Sequence, residues 1–512
     1  MIQKVEPKSA PRRIHEAFQD WALSQPERMA LDDGSMSMTY GELSANVEAV
    51  AQRLRDAGVR AGDRVLLVAE NSAALAVCIL AVSRLDAWSA TVNARLSERE
   101  IANFLSHSGA RRALYFSATS PQAKAHGEQR GAEVVNWPGM GEFLLGPLNE
   151  AAVPEPVQDD PAQQIAAMVY TSGTTGAPKA VMLTHANLLF IGANALDLRK
   201  LVPQDVVYGV LPFSHVYGLS AVLVASLLAG AGIVLAARFQ PEALARALAE
   251  QNVSVLHGAP AMYAKLLEWS ETTATPLRAP CLRVAQSGGA PLTQPLKIAF
   301  EKTFGVPLQN GYGMTEASPS ICQTRLDIHR SDCSVGQPIP GIDVRLNGAE
   351  NDPEGIGELW VRGPNVMKGY YRAPELTADT VTPDGWLRTG DLARMGPDGA
   401  IFIVGRSKEL IIRSGFNVYP VEVEQALNAH PLIVQSAVVG RTVEGNEEVV
   451  AFIEPVRGAT IDMVELHAHL KANLSPYKIP SEIVILEQLP AAATGKVMKK
   501  ELQQRAAQAA HH

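Results

Sequence analysis

The sequence predicts an α/β fold, with helices layered on parallel sheets, followed by a β-rich stretch and a small α+β unit. Helical patterns and short apolar runs alternate early in the chain: GELSANVEAVAQRLRDAG (41–58) precedes DRVLLVAE (63–70), and PEALARALAEQN (241–252) precedes VSVLHGAP (253–260). After about residue 330, short alternating runs such as GELWVRG and AIFIVGR, separated by glycine and proline, favour antiparallel hairpins. Roughly the last hundred residues carry their own helical patterns, VEVEQALNAH and MVELHAHLKANL, and the strand patterns SAVVG and VVAFIEP.

The composition is that of a globular protein with more than one core. The chain has 512 residues, of which 47% are hydrophobic and 19% charged, so it exceeds one ordinary domain and lies far from the disordered class. Its net charge of −8 offers no basic surface to nucleic acid. We therefore expect no nucleic-acid partner.

The cysteine pattern and the N-terminal stretch indicate a cytoplasmic protein. The MIQKVEPKSAPRRIHEAF start has no apolar core of the kind that a secretory signal contains. The four cysteines are widely spaced, without a CxxC pair, which favours buried thiols in a reducing compartment over disulfides or a zinc site. They are Cys78, Cys281, Cys322 and Cys333.

One apolar run, LSAVLVASLLAGAGIVLAA (219–237), is long enough to be scored as a membrane span. However, Gly230 and Gly232 interrupt it, and the tail GIVLAA has the pattern of a buried strand. A helix, a glycine turn and a parallel strand explain the run without lipid, so we expect no integral membrane segment.

The run YTSGTTGAPKAVMLTH (170–185) combines small hydroxyl side chains, glycine and one lysine after an apolar stretch. Such a loop lets N–H and O–H groups approach phosphate oxygens closely, while the lysine supplies positive charge. It is not a Walker loop, because Gly173 and Gly176 are too close together and Ala180 follows Lys179 where a hydroxyl should be. A plain strand-to-helix turn, with Thr184 capping the helix, is the alternative.

The same run resembles the phosphate loop of the adenylate-forming superfamily, which comprises acyl- and aryl-CoA ligases, carrier-loading adenylation domains and beetle luciferase. Further motifs match the family in family order over nearly the whole chain. They are LPFSHVYG (211–218), SGGAPL (287–292), NGYGMTE (310–316), GELWVRGPNVMKGYY (357–371), WLRTGDL (386–392), GRSKELIIRSGFNVYPVEVE (405–424) and ATGKVMKKEL (493–502). The chain is most similar to an acid:CoA ligase.

The resemblance implies a reaction in two steps that uses ATP, Mg²⁺ and coenzyme A. A carboxylate attacks the α-phosphate of ATP, which gives an acyl-adenylate and pyrophosphate, and the thiol of CoA then displaces AMP. It also implies a large N-terminal domain (1–405), with two α/β subdomains and a β-rich subdomain, and a small mobile α+β C-terminal lid (406–512). The lid would rotate between the two steps.

Nucleotide and metal contacts follow from the matched motifs. Tyr312 would stack on adenine, Thr315 would contact the α-phosphate, and Glu316 would bind Mg²⁺, although Glu316 could also be an ordinary carboxylate at the start of a helix. The residues that would hold the β- and γ-phosphates are Thr171, Ser172, Gly173, Thr174, Thr175 and Lys179. Those that would edge the adenine or bind the ribose are Gly289, Ala290, Pro291, Asp391 and Arg406.

In the lid, the resemblance makes Lys496 the catalytic lysine, placed between the substrate carboxylate and the α-phosphate to offset their negative charge. Lys408 would be the pivot. Ser414 and Gly415 would lie in the loop that lines the pantetheine tunnel, where glycine permits unusual backbone conformations.

The resemblance places the acyl pocket behind the LPFSHVYG motif, the strand near VLHGAP and the residues after YGMTE. His215 is either a gate between the pocket and the thiol tunnel or a core histidine. The full set is His215, Val216, Tyr217, Gly218, His257, Gly258, Ala259, Met314, Ser318 and Pro319. It contains no arginine or lysine, which argues against a dicarboxylic acid, and no aspartate that could pair an amino group.

We expect an apolar monocarboxylic acid, with a medium- or long-chain fatty acid preferred. A benzoate- or hydroxycinnamate-type aryl acid, stacked on Tyr217, is the alternative. An enzyme that loads a carrier protein, or a luciferase-like oxygenase, would share these motifs, and either a monomer or a homodimer is compatible with the sequence.

Overall fold

The computed structural model describes residues 10–171, 178–414, 416–443, 446–491 and 497–509. It confirms the mixed α/β class, with a large N-terminal domain built on two large sheets and a smaller antiparallel sheet, and a small C-terminal domain.

The first large sheet joins nine strands of the described residues. The six neighbouring strands at its centre pair in parallel, as the helix–strand alternation predicts. The strands at both edges pair antiparallel. In spatial order the strands are Gln337–Pro338, Ser320–Gln323, Leu308–Gly313, Val284–Ser287, Val255–Gly258, Val206–Gly209, Gly232–Leu235, Met29–Asp32 and Ser37–Thr39.

The second large sheet joins eight strands of the described chain. Its centre is parallel and its two edges are antiparallel. In spatial order the strands are Gly369–Tyr370, Lys179–Thr184, Ile165–Thr171, Trp88–Asn93, Arg64–Ala69, Arg112–Tyr115, Gly141–Leu145 and Glu133–Trp137.

One apolar core joins the two large sheets and is centred on the helix Ala73–Arg84. Its sequence, AALAVCILAVSR, is apolar all round, and residues 73–83 are all buried, as expected of a helix enclosed on every side. The same core contains Leu67 of the eight-stranded sheet and Ile233 of the nine-stranded sheet. Ser72 begins the helix by accepting a hydrogen bond from the Leu75 amide at 3.1 Å.

Along the chain, most of the other helices connect one strand to the next. The α-helices are Gln19–Ser24, Tyr40–Asp56, Glu98–Ser108, Pro121–Glu128, His185–Leu198, Ala225–Ala229, Pro241–Glu250, Pro260–Thr273, Gln294–Phe304, Pro374–Thr380, Pro420–Asn428, Met463–Asn473 and Lys499–Ala509. Short 3₁₀ helices are Ile14–Glu16, Thr315–Ala317, Ala349–Asn351, Ser407–Glu409 and Pro476–Lys478.

The β-rich region and the α+β unit also agree with the sequence. The first is an antiparallel sheet of Asp343–Asn347, Gly357–Arg362, Leu387–Met395 and Ile401–Arg406. The second contains the hairpin of Ile411–Arg413 and Phe416–Val418, and a sheet of Ile433–Val443, Asn446–Pro455 and Glu482–Ile485.

The apolar run 219–237 folds as expected. A π-helix, Tyr217–Val224, continues into the helix Ala225–Ala229, turns at Gly230 with φ of 71°, and enters the buried parallel strand Gly232–Leu235. Within the described ranges, no helix has both the length and the apolar character needed to cross a membrane.

The expectation of buried thiols is wrong for one cysteine. Cys78 and Cys322 are buried and Cys333 is partly buried, but Cys281 is exposed. It lies in the segment between the helix Pro260–Thr273 and the strand Val284–Ser287, where the chain runs over the surface.

Gly218 allows the start of the π-helix to lie directly against the backbone of Leu211 and Pro212. A Cβ at Gly218 would lie 2.3 Å from the carbonyl oxygen of Pro212 and 2.5 Å from that of Leu211. Neither atom is at the end of a flexible side chain, so the backbone would have to move.

We expect Gly218→Ala to lower the free energy of unfolding by about 2 kcal/mol or more, because overpacking against fixed backbone is costly. Urea denaturation followed by tryptophan fluorescence measures this. Gly405→Ala is the matched control, since its Cβ would be 3.7 Å from the nearest atom. Equal destabilisation by both substitutions would contradict the close-approach explanation.

Candidate active site

Three residues predicted to hold the nucleoside meet at the carboxylate of Asp391. Asp391 lies opposite Arg406 in the register of two neighbouring strands, and Arg406 Nε donates to Asp391 Oδ1 at 3.0 Å. The hydroxyl of Tyr312, from the nine-stranded sheet, donates to Asp391 Oδ2. Asp391 is only 5% exposed.

This arrangement keeps Tyr312 a hydrogen-bond donor. Burial raises the pKa of Tyr312 well above its ordinary value, and the negative charge of Asp391 raises it further. The phenol therefore stays protonated at physiological pH and holds the carboxylate in one orientation. A carboxylate has about four lone-pair positions, so Asp391 can accept from both side chains at once.

Glu316 is held by a residue to which the sequence assigned no role. Glu316 lies in the 3₁₀ helix Thr315–Ala317, directly after the strand that carries Tyr312. The hydroxyl of Tyr370 donates to Glu316 Oε1 at 2.7 Å, and the backbone carbonyl of Glu316 accepts from the Met367 amide at 2.9 Å. Burial and the Glu316 charge raise the pKa of Tyr370 well above its ordinary value, so this hydroxyl also remains a donor.

The surroundings of Glu316 fit a magnesium ion bound chiefly through phosphate. The carboxylate is partly exposed and oriented by Tyr370, and Mg²⁺ in nucleotide sites commonly takes one or two protein carboxylates together with phosphate oxygens and water. In the part of the chain that the structure describes, no group of three or more His, Cys, Asp or Glu side chains could hold a metal by itself.

The two ends of the predicted phosphate loop lie side by side. Thr171 ends one strand, Lys179 begins the next, and the two residues are opposite each other in an antiparallel pair. Thr184 caps the following helix by accepting from the Asn187 amide at 3.1 Å, as expected. Ser172, Gly173, Thr174 and Thr175 lie outside the described residues.

The predicted adenine edge follows the strand Val284–Ser287, which pairs in parallel with the strand carrying Tyr312. The carboxyl ends of both strands therefore meet at one edge of the sheet, where ligands of open α/β sheets bind. Gly289 has φ of 81° and a Cβ there would meet nothing within 4 Å, while Ala290 is partly exposed and Pro291 exposed.

The predicted acyl-pocket residues gather around Tyr217. Its hydroxyl lies 3.4 Å from His257 Nδ1, and the two rings meet edge to face with centroids 5.8 Å apart. His215 Nδ1 accepts from the Tyr217 amide at 3.2 Å. Burial lowers the pKa of His257 well below its ordinary value, and the charge of Arg199 lowers it further, so His257 is neutral.

The remaining pocket residues are small or buried. Ser220 Oγ donates to the carbonyl of Ser318 at 2.7 Å, which joins the π-helix to the segment after Glu316. A Cβ at Gly258 would lie 3.1 Å from Tyr263 Cζ, so the ring packs directly on the backbone. Val216, Gly218, Ala259 and Pro319 are buried and Met314 is partly buried.

Arg199 is a pocket neighbour that the sequence argument missed. Its guanidinium is buried, and Nη1 donates to the carbonyl of Ala221, one turn after Tyr217 in the π-helix, at 2.9 Å. An arginine just after a helical pattern reads as an ordinary exposed residue at a helix C-terminus. The hydrogen bond across to the π-helix is a tertiary feature without a local signal.

The predicted lid residues are only partly described, because Gly415 and Lys496 lie outside the described residues. Lys408 is exposed in the 3₁₀ helix Ser407–Glu409. Ser414 has φ of 53°, and its amide donates to Asn446 Oδ1 at 2.6 Å.

Lys499 was assigned no role from sequence, yet it connects two elements of the lid. Its Nζ lies 3.0 Å from Glu409 Oε2 and 2.8 Å from Glu424 Oε1. Burial alone would lower the pKa of Lys499, but the two carboxylates outweigh it and raise the pKa. Lys499 therefore stays charged.

Comparison with known proteins places the site in context. A family model described as AMP-binding enzyme matches residues 18–371, and one described as AMP-binding enzyme C-terminal domain matches residues 422–496. A feruloyl-CoA synthase from Amycolatopsis sp. is 35% identical over 493 residues, covering 94% of this chain and 97% of that protein. A long-chain-fatty-acid–CoA ligase from Bacillus subtilis is 38% identical over 352 residues, covering 67% of this chain but 62% of that protein.

Among solved structures, o-succinylbenzoate coenzyme A synthetase from Bacillus subtilis, in complex with ATP and magnesium, superposes with a TM-score of 0.79. It is 27% identical, and the match covers 95% of this chain and 99% of that one.

The two tyrosine–carboxylate bonds predict different nucleotide-binding defects. We expect Tyr312→Phe to weaken AMP and ATP alike by about fivefold, because one hydrogen bond of about 1 kcal/mol that orients Asp391 is lost. Tyr370→Phe should weaken MgATP but leave AMP unchanged, because it disturbs only Glu316. Isothermal titration of both nucleotides measures this. Equal losses for both nucleotides in both variants would contradict the division of roles.

Proposed function

Because the chain belongs to the AMP-binding enzyme family, we propose that it joins an aryl carboxylic acid to coenzyme A. The protein is an AMP-forming acid–thiol ligase that uses ATP, Mg²⁺ and CoA.

The edge-to-face pair of Tyr217 and His257 carries the choice of acid. It offers an aromatic wall with polar atoms at its edges, which suits a flat ring with oxygen substituents. His257 Nε2 is buried and has no hydrogen-bond partner among the described residues. An alkyl chain could not pair with it, and unpaired buried polar atoms are costly. This favours an aryl acid over the fatty acid that the sequence analysis preferred.

The family comparison supports the same choice. The feruloyl-CoA synthase matches this chain over nearly its whole length, including the C-terminal domain. The long-chain-fatty-acid ligase has a higher sequence identity, 38%, but its match is shorter and covers only 62% of that protein.

In the first half-reaction, a carboxylate oxygen of the acid attacks the α-phosphorus, and the bond to pyrophosphate breaks. Asp391, oriented by Tyr312 and Arg406, would hold the ribose. Lys179 and Thr171 would hold the β- and γ-phosphates, with Thr315 at the α-phosphate. Glu316, oriented by Tyr370, would hold Mg²⁺, which offsets the charge of the phosphate oxygens.

In the second half-reaction, the CoA sulfur attacks the acyl carbon and AMP leaves. We propose that the lid (406–512) turns on the large domain (1–405) between the two steps. Lys496 would serve the first step, and the loop with Ser414 and Gly415 would line the thiol tunnel in the second. The exposed position of Lys408 suits a pivot. Cytoplasmic location and a monomeric or homodimeric state remain predictions.

We expect Lys496→Ala to abolish acid-dependent pyrophosphate release while leaving thioester formation from preformed acyl-AMP and CoA within about threefold of wild type, because the lysine stabilises charge only in the first step. Lys471→Ala, which changes an exposed lysine of the same domain, is the matched control. Equal loss of both half-reactions in Lys496→Ala would contradict the assigned role.

Pyrophosphate release across a panel of acids, with and without CoA, tests the proposed acid. Benzoates and hydroxycinnamates should give kcat/KM at least about tenfold above that of acids from acetate to palmitate, the range expected when a shaped pocket discriminates by 1–3 kcal/mol. A peak among alkyl acids would overturn the aryl assignment. Activation without CoA-dependent AMP release would favour a carrier-loading enzyme, and light emission with a luciferin would favour an oxygenase.

A further inference from the structure

One face of the nine-stranded sheet carries a buried row of polar side chains beside the acyl pocket. His257 of the strand Val255–Gly258 lies opposite Gln286 of the neighbouring parallel strand. Gly311 of the strand Leu308–Gly313 lies opposite Gln323 of the neighbouring antiparallel strand. A Cβ at Gly311 would lie 2.9 Å from Gln286 Nε2 and 3.9 Å from Gln323 Cγ, so both glutamine side chains reach over this glycine. His257, Gln286 and Gln323 are all buried.

This row lies on the face of the sheet opposite to the nucleotide side. Successive residues of a strand point to opposite faces, so the face of Gly311 is not that of Tyr312. His257, which belongs to this row, contacts Tyr217, so the face of Gly311 is the one beside the predicted acyl-pocket residues, while Tyr312 on the other face contacts Asp391.

The guanidinium of Arg199 completes the row. Arg199 is 2% exposed, and its Nη2 donates to Gln323 Oε1 at 3.2 Å while Nη1 donates to Ala221. Within the described part of the chain, no carboxylate forms an ion pair with Arg199, and its Nε has no hydrogen-bond partner. His257 Nε2 and Gln286 Oε1 are unpartnered in the same way.

A second buried arginine shows what a purely structural role looks like in this fold. Arg64 is 1% exposed and also lacks a carboxylate partner among the described residues. Its Nε donates to the carbonyl of Ser108 at 3.0 Å, and its Nη atoms donate to the carbonyls of Gly62, Val153 and Gly109. Each of the three guanidinium nitrogens of Arg64 thus donates to a backbone carbonyl, whereas Nε of Arg199 has no such acceptor among the described residues.

A buried cation without a counter-ion is costly, and burial lowers the pKa of Arg199 accordingly. The planar guanidinium offers Nε–H and Nη–H together, in the geometry that fits two oxygens of one acid group. His257 is neutral and offers one more ring nitrogen beside it.

We propose that Arg199, with His257, binds a second anionic group of the substrate, a carboxylate or sulfonate at the end remote from the reacting carboxylate. This rests on the proposed function, since it names the class of aryl acid that the same pocket takes. It also revises the expectation that the pocket excludes a dicarboxylic acid. That expectation was based on the motif residues, and Arg199 is not one of them.

The test compares aryl acids that differ only at the remote position: terephthalate, 4-sulfobenzoate, 4-methylbenzoate and benzoate. Pyrophosphate release by wild type should show kcat/KM at least about tenfold higher for terephthalate or 4-sulfobenzoate than for 4-methylbenzoate, as expected for hydrogen bonds to a charged group. Whichever of the two leads identifies the anion as carboxylate or sulfonate.

Arg199→Met should lower kcat/KM for the preferred diacid by about 100-fold, while that for 4-methylbenzoate stays equal or rises, because the charge is lost and the volume is kept. Arg64→Met is the matched control: it should lower the thermal midpoint without changing the ratio between substrates. The wild-type ratio tests the proposal even where a variant fails to fold.

The outcomes separate the two proposals. Wild type that activates no acid in the panel would overturn the proposed function itself. Wild type that activates benzoate and 4-methylbenzoate as well as the diacids, or an Arg199→Met variant that loses all four substrates equally, would overturn the Arg199 assignment alone.

Discussion

The carboxylate of Asp391 joins two different sheets of the large domain. Its own strand belongs to the β-rich sheet, and so does that of Arg406, but Tyr312 comes from the nine-stranded sheet. The proposed nucleoside site between these sheets requires their edges to keep a fixed position relative to each other. Tyr312 and Arg406 both donate to the largely buried carboxylate of Asp391 and so hold the two sheet edges together. Each hydrogen bond restricts the orientation of the carboxylate, and burial strengthens both bonds.

The bond between Tyr370 and Glu316 does the same for the second large sheet. Tyr370 lies on the short strand that pairs with Lys179–Thr184, so the residue that orients Glu316 belongs to the sheet that carries the predicted phosphate loop. All three sheets of the large domain therefore meet through two tyrosine–carboxylate bonds. In the proposed site, Asp391 would hold the ribose and Glu316 the metal, so these two bonds would set the orientation of both groups.

The fold class and the positions of most candidate site residues could be predicted from sequence, because both depend on patterns that are local in the chain. Helix–strand alternation and the apolar run before the Gly230 turn are local patterns, and the structure follows them. Tyr312, Glu316 and Asp391 lie in short motifs that resemble those of the family, and the assignment of their roles rests on that resemblance. Tyr370 and Arg199 have no such signal, because their partners are set by strand pairing and by packing of the π-helix. A buried arginine and an exposed one at a helix end read alike until the neighbouring elements are in place.

The ion pairs of Lys499 have a mechanical consequence for the lid. Glu409 ends the short helix after the β-rich sheet, Glu424 lies within the helix Pro420–Asn428, and Lys499 begins the last helix. One ammonium group thus links three parts of the small domain, of which Glu409 is the first along the chain. If the small domain turns as proposed, a movement that keeps these ion pairs intact would place the hinge in the backbone just before Glu409, in the segment that contains Lys408.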